Sequence, residues 1–151
     1  MKVTWVLPIK TQSEMNCSEH WTKKHKRHKQ QQFFVRSLFR HESAEIKLPC
    51  RIKLTRLGPR FLDPDNLPPS MKYIQDEIAE ILTGKGGFYV TRRGHIKSIK
   101  GHADNDKRLS WEYAQEKYTK QAVRIEFSFS EDDKLCCIPH EENQLPVLDS
   151  L

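Results

Sequence analysis

The sequence predicts an α+β fold: a mixed β-sheet covered by two helices, in the order β-α-β-α-(hairpin)-β-β. Three observations carry that expectation. Four segments alternate apolar and polar residues with a period of two, two longer segments repeat apolar residues at helical spacing, and Gly, Pro and Asn/Asp clusters fall between them. Strands and helices mixed in this way bury their apolar faces by laying the helices on the sheet.

The elements follow in chain order. Residues 2–9 read as a strand, with Val3, Trp5 and Leu7 on one face and Pro8 at its end. A long helix is expected over residues 18–41. Asn16 and Glu19 are spaced like a capping box, and Ser18 is a competing cap. Its apolar stripe is Trp21, Phe34, Val35, Leu38 and Phe39, thin in the first half and dense in the second. Residues 48–57 form a second strand, with Ile52 and Leu54 facing one way and Lys53 and Thr55 the other; Gly58-Pro59 ends it. Pro68-Pro69 suit a helix start, and residues 69–82 carry Met71, Ile74, Ile78, Ile81 and Leu82 as a buried stripe, with Gly84 as a C-cap. Phe88-Tyr89-Val90 and residues 95–99 pair as a hairpin around Arg93-Gly94. Residues 109–117 and 122–129 alternate as two further strands, and the short link between them predicts an antiparallel hairpin.

A chain of 151 residues suits one compact domain, here residues 1–130, followed by an acidic, loose tail over 131–151. The formal charge is +6 and the mean hydropathy −0.75. The charge is unevenly spread. Residues 16–60 hold twelve Lys and Arg against three Asp and Glu, and residues 84–124 hold ten against four. Between them, residues 61–83 hold one basic side chain and five acidic ones. Two basic blocks around an acidic one fit a polyanion-binding surface around a metal site. The N-terminal segment alternates like a strand, so no signal peptide is expected, and no run reaches membrane-spanning length. Cys17, Cys50, Cys136 and Cys137 lack framework spacing, and a cytoplasmic protein with free thiols follows.

The acidic block centres on Asp63-Pro64-Asp65-Asn66. Two like charges so close repel unless a cation neutralises them, and a hard ion such as Mg²⁺ takes oxygen ligands. If the stretch is extended, Asp63 and Asp65 point the same way and can share one ion, with Asn66 holding the loop or ligating. A turn explains the same residues equally well, since Asp and Asn favour turns. Lys72 and Asp76 lie one helical turn apart: either a surface ion pair or a charge placed beside a reacting phosphate. Asp104-Asn105-Asp106 is a second acidic cluster, again a turn or half of a metal site. The EF-hand pattern fails, because no Gly stands at its sixth position and Ile74 replaces the final Glu. Cys17 with His20, and Cys136, Cys137 with His140, do not match zinc spacing.

Together these residues resemble the RusA-type Holliday-junction resolvases of phage and prophage. The likeness rests on Asp63-Pro64-Asp65-Asn66-Leu67, on a helix carrying Lys72 and Asp76, on Gly87-Phe88-Tyr89, and on the run from Asp104 to Trp111 with Tyr113 and Gln115. Asn16, His20, Trp21 and Lys29 are similar to the basic N-terminal helix of phage members. The likeness covers about residues 1–129. Lys72 lies six residues beyond Asn66, a longer gap than in the founding type, residues 91–103 read as an insertion, and the tail has no counterpart.

The resemblance implies a RusA-like nuclease domain over 1–130 and a homodimeric, Mg²⁺-dependent endodeoxyribonuclease, with Mn²⁺ as a substitute. Its substrate would be branched DNA, above all four-way junctions, in recombination and repair; no membrane partner is implied. Asp63 and Asp65 would be metal ligands, Asp106 the third acid with Asp104 the competing assignment, and Lys72 the catalytic lysine, supported by Asn66 and Asp76. Lys23, Lys24, Lys26, Arg27 and Lys29, with Arg92, Arg93, Lys97 and Lys100, would bind the DNA backbone. A non-catalytic junction-binding or regulatory protein of the same fold is the alternative.

Overall fold

The computed structural model describes residues 1–15, 17–42, 44–84, 87–99 and 103–130, with the backbone alone for 87–90 and 96–99. Asn16, Lys100, the side chain of Lys97 and the acidic tail therefore lie outside the described residues. The fold is α+β, and its elements are β1 (Lys2–Leu7), α1 (Trp21–His41), β2 (Cys50–Gly58), α2 (Leu67–Ser70), α3 (Lys72–Thr83), β3 (Gly87–Val90), β4 (Ile96–Ile99), β5 (Leu109–Lys117) and β6 (Ala122–Phe129). Short 3-10 turns at Pro64–Asn66 and Ala103–Asn105 carry the two acidic clusters.

One four-stranded mixed sheet has the order β1-β6-β2-β5; β3 and β4 pair separately as an antiparallel hairpin. β6 runs antiparallel to both neighbours, and β5 runs parallel to β2. The β5–β6 hairpin expected from the short link does not form. β2 lies between the two strands, and the link is tied to its end by Tyr118 N–H donating to the Gly58 carbonyl at 2.9 Å. The physical reason is burial. β2 is covered on both faces over its second half, whereas β5 alternates buried or half-buried with exposed. The strand with more surface to hide takes the centre, and the amphipathic strand takes the edge.

Register shows how the core is assembled. Trp5, Ile125, Leu54 and Tyr113 stand abreast across the four strands, and Val3, Phe127, Ile52 and Trp111 form the next row. Directly paired residues share a face, so these rows make one apolar surface. α1 and α3 cover it with Val35, Ile74 and Ile78, all fully buried. Trp5 meets Phe39 and Phe127 edge-on, each with ring centres 5.0 Å apart. Each such aliphatic side chain contributes about 1.5–3 kcal/mol by leaving water. The opposite face is polar, with Lys2–Glu126 at 2.7 Å and Lys53–Glu112 at 3.0 Å. Among the described residues no helix is long and apolar enough to cross a membrane.

The helices depart from expectation in four places. α1 begins at Trp21, capped by His20, whose ring nitrogen accepts from the Thr22 N–H at 3.4 Å. Trp21 itself is 70% exposed, and the buried stripe continues toward the N-terminus through polar residues: Gln31, His28 and Arg27. The expected second helix is two. Met71, at φ −112° and ψ 6°, separates the proline-led turn of α2 from α3. Ile81 is 37% exposed, at the rim of the stripe rather than within it. Gly84 caps α3 in the left-handed region at φ 64°, where a side chain would be strained.

Candidate active site

The chain leading from β2 into the acidic turn is fastened twice. Arg56, 4% exposed on the core face of β2, donates to the Arg60 carbonyl at 2.6 Å and to the Thr11 hydroxyl at 3.1 Å. Burial pushes its pKa down, and no carboxylate is among its partners. Gln115 on β5 then grips both backbone groups of Leu62: the Leu62 N–H donates to its side-chain oxygen at 2.9 Å, and its amide nitrogen donates to the Leu62 carbonyl at 2.8 Å. A planar amide satisfies one backbone donor and one acceptor at once, so the glutamine acts as a one-residue extension of the sheet edge.

Asp63 follows directly, at φ −59° and ψ 144°, and Pro64–Asn66 make the 3-10 turn, closed by Asn66 N–H to the Asp63 carbonyl at 2.9 Å. The extended geometry that would aim Asp63 and Asp65 the same way is therefore absent. A 3-10 turn rotates successive side chains by about 120°, so residues two apart diverge. Pro64 starts the turn because its fixed φ suits a first helical position. Both carboxylates are exposed and make no hydrogen bond or ion pair among the described residues; Asn66 is buried.

Lys72 opens α3, and its ammonium joins two acids. It lies 2.8 Å from Asp76, one turn on, and it is ion-paired with Asp104 from the second acidic turn. Burial works against the ammonium, but the Asp104 and Asp76 carboxylates outweigh it and raise its pKa. Asp104 is itself fixed through its carbonyl, which accepts from the Trp111 indole N–H at 3.1 Å. Asp106 faces elsewhere. The Arg108 guanidinium holds it with two bonds of 3.0 and 2.9 Å, and the Arg108 backbone N–H adds a third at 3.0 Å.

Three residues of β5 hold these pieces together. Trp111, Tyr113 and Gln115 alternate onto the core face of this edge strand. Trp111 fixes the Asp104 turn, the Tyr113 hydroxyl donates to Gln75 of α3 at 2.7 Å, and Gln115 fixes the Asp63 loop. Burial raises the Tyr113 pKa, and Asp104 and Asp76 raise it further against the opposing pull of Lys72. Beside Lys72, a groove of about 430 Å³ runs between Glu14, Lys24, Pro68, Pro69, Tyr73 and Gln75. It brings the basic half of α1 next to the lysine.

The expected DNA-binding cations divide. Lys23, Lys26 and Lys29 are exposed, as are Arg92 and Arg93 in the β3–β4 turn. Arg27 is buried between Glu14 at 2.7 Å and Glu19 at 3.1 Å, and Lys24 meets Glu14 at 3.0 Å. His28, stacked on Tyr73 with ring centres 3.5 Å apart, also reaches Glu14 at 3.0 Å.

Among the described residues no three His, Cys, Asp or Glu side chains close around a point where an ion could sit. The four candidate acids supply oxygen donors suited to Mg²⁺. As arranged, two of them are exposed on a turn, and two are each neutralised by a side-chain cation. Cys17 meets Gln12 and Glu19, and His20 caps α1, so neither faces a zinc ligand set. Arg56, Glu14 and Gln75 had no role in the sequence reading. Thr11 is forty-five residues from Arg56 and Tyr113 thirty-eight from Gln75, and the one local signal for Glu14's partners is the continuation of the α1 stripe from Val35 through polar 31 and 27/28. Comparison with protein-family models, with curated proteins and with solved structures finds no match to this chain.

Proposed function

We propose that the chain is a structure-selective DNA endonuclease of the RusA type. It would act as a Mg²⁺-dependent homodimer on four-way junctions or other branched DNA, in recombination and repair. One observation carries the reading. The core face of edge strand β5 gathers the Asp63–Asp65 turn, Lys72 and the Asp104 turn, the last of them thirty-two residues beyond the lysine, through Gln115, Tyr113 and Trp111. Acidic oxygen donors beside a lysine, flanked by the exposed cations of α1, suit a phosphodiester backbone.

In this reading Asp63 and Asp65, with Asp106 or Asp104, would hold the ion once the turn and the two ion pairs rearrange around it. Bound Mg²⁺ would polarise the phosphoryl oxygen and supply an activated water. Lys72 stabilises the charge that grows on the phosphate, and Asp76 keeps its ammonium aimed and charged. Lys23, Lys26, Lys29, Arg92 and Arg93 bind backbone phosphates. Two sites in a two-fold dimer suit paired nicks across a symmetric junction.

The test is incubation of the chain and its Asp65→Asn variant with a labelled four-way junction and a matched linear duplex, with and without Mg²⁺. Mg²⁺-dependent nicking of the junction, lost in Asp65→Asn with binding retained, is expected. Full cutting by the variant sinks the assignment.

A second reading, a junction-binding protein without catalysis, draws on the ion pairs that occupy Asp104 and Asp106. It predicts tight junction binding and no metal-stimulated nicking.

A further inference from the structure

A second concave surface lies at the other end of β2. It is an open groove of about 580 Å³ where the starts of β2 and β5 meet the end of β6. Its lining includes Arg51, Lys107, Arg108, Ser110, Ser128 and Ser130, and no carboxylate among the described residues.

The sheet register explains why this corner is cationic. On the polar face, the row Glu112, Lys53, Glu126 alternates in sign, and its second acid is met by Lys2. Further along, Arg124 pairs with Glu116. The row Ser110, Arg51, Ser128 breaks the pattern, because the guanidinium is flanked on both strands by hydroxyls instead of acids. Arg51 is exposed, and its guanidinium makes no ion pair or hydrogen bond among the described residues; neither does the side chain of exposed Lys107. The two serines stand about 9.6 Å apart across the arginine, so each hydroxyl offers a donor on its own side of the guanidinium. A fork of N–H donors with O–H donors on either side matches a tetrahedral oxyanion. One residue links the groove to the acidic turn before β5: Arg108 lines it and also holds Asp106.

We infer that this groove binds a backbone phosphate of the DNA strand that runs on from the active site, with Arg51 as its central contact and Lys107 as a second charge. The inference rests on the nuclease reading and adds to it a strand path that avoids the basic face of α1.

The experiment is fluorescence anisotropy of a labelled four-way junction, without Mg²⁺, across a series of salt concentrations. Arg51→Ala, Arg51→Glu and Lys107→Ala are compared with wild type. Lys53→Gln, on the same face but paired with Glu112, is the control. Loss of one phosphate contact lowers the slope of log affinity against log salt by about one. Arg51→Ala should do so with a several-fold loss of affinity, Arg51→Glu should lose more, and Lys53→Gln should behave as wild type. Wild type that binds the junction, with Arg51 variants of unchanged affinity and slope, overturns this inference alone. Wild type that binds no DNA overturns the nuclease reading and this inference together. A mononucleotide bound as tightly as the junction, and lost in Arg51→Ala, would replace the strand by a free phosphate ligand.

Discussion

The Lys72 ammonium is ion-paired with Asp104, thirty-two residues further along the chain. This contact joins the start of α3 to the turn before β5, and with Asp76 it makes a triad of one cation and two anions. A lysine with raised pKa stays charged throughout the neutral range, so here it acts as a fixed positive point and not as a proton donor.

Lys72→Met keeps the length of the side chain and removes that charge. Its ion pairs are half-exposed, so stability should change by no more than about 1 kcal/mol. The rate of junction nicking should fall by at least about 100-fold, the scale of removing one electrostatic contact to a developing charge. Thermal melting and single-turnover cleavage separate the two effects. A cleavage rate within a few-fold of wild type would remove Lys72 from the mechanism.

Gln115→Ala tests whether the Asp63 loop needs its anchor. Two hydrogen bonds to Leu62 vanish, at a cost of about 1–3 kcal/mol. Junction affinity should stay near wild type, because no DNA contact is removed, while the nicking rate drops about tenfold through lost positioning. Gln115→Glu keeps an acceptor for the Leu62 N–H but lacks the donor for the carbonyl, and should fall between the two. Equal nicking rates for all three proteins would show that the loop holds its shape without β5.

These two residues also show where sequence reading stops. Gln115 stood inside a recognisable motif, yet its partner Leu62 is fifty-three positions away, and no local pattern links them. Lys72 and Asp76 were legible as neighbours because one helical turn fixes their spacing, whereas Asp104 joins them only through the packing of α3 against the 3-10 turn before β5. Strand and helix positions were readable for the same reason: alternation in residues 109–117 and 122–129 is local. The partnership of those strands was not, because β2 enters between them on grounds of total burial. The turn at Pro64 hid another part, since a proline two residues before Asn66 fits an extended link and a 3-10 start alike.

Arg36 and Glu77 couple the two helices. The arginine forks onto a carboxylate that is 3% exposed, with one of its two bonds at 3.1 Å. Arg36→Ala should cost about 3–5 kcal/mol, because it strands a charge in the α1–α3 interface. The double variant Arg36→Met with Glu77→Leu should recover most of that loss, since no charge is then left buried. Urea unfolding of the four proteins measures the cycle. A single variant as stable as wild type would mean the carboxylate reaches water by another route.

Glu14 sets the response to acid. Burial alone would raise its pKa, but Arg27, His28 and Lys24 outweigh it and hold the carboxyl at about 2, below its ordinary 4.5. The unfolded chain therefore takes up this proton first. The stabilisation is complete above pH 4.5 and disappears as the pH falls toward 2. His28 adds to the same slope at higher pH. Burial lowers its pKa against the pull of Glu14, so folding favours its neutral form, and stability begins to fall as the pH drops below 6.5. Glu14→Gln leaves Arg27 with Glu19 alone, which should cost about 1–3 kcal/mol at pH 7. Its melting temperature should then fall less steeply than that of wild type between pH 5 and 3, because the group that titrates there is gone. His28→Gln should flatten the wild-type curve just below pH 6.5, where the unfolded imidazole takes up its proton first. Melting curves of Glu14→Gln that run parallel to wild type down to pH 3 would show that the loop before α1 is not held by this carboxylate.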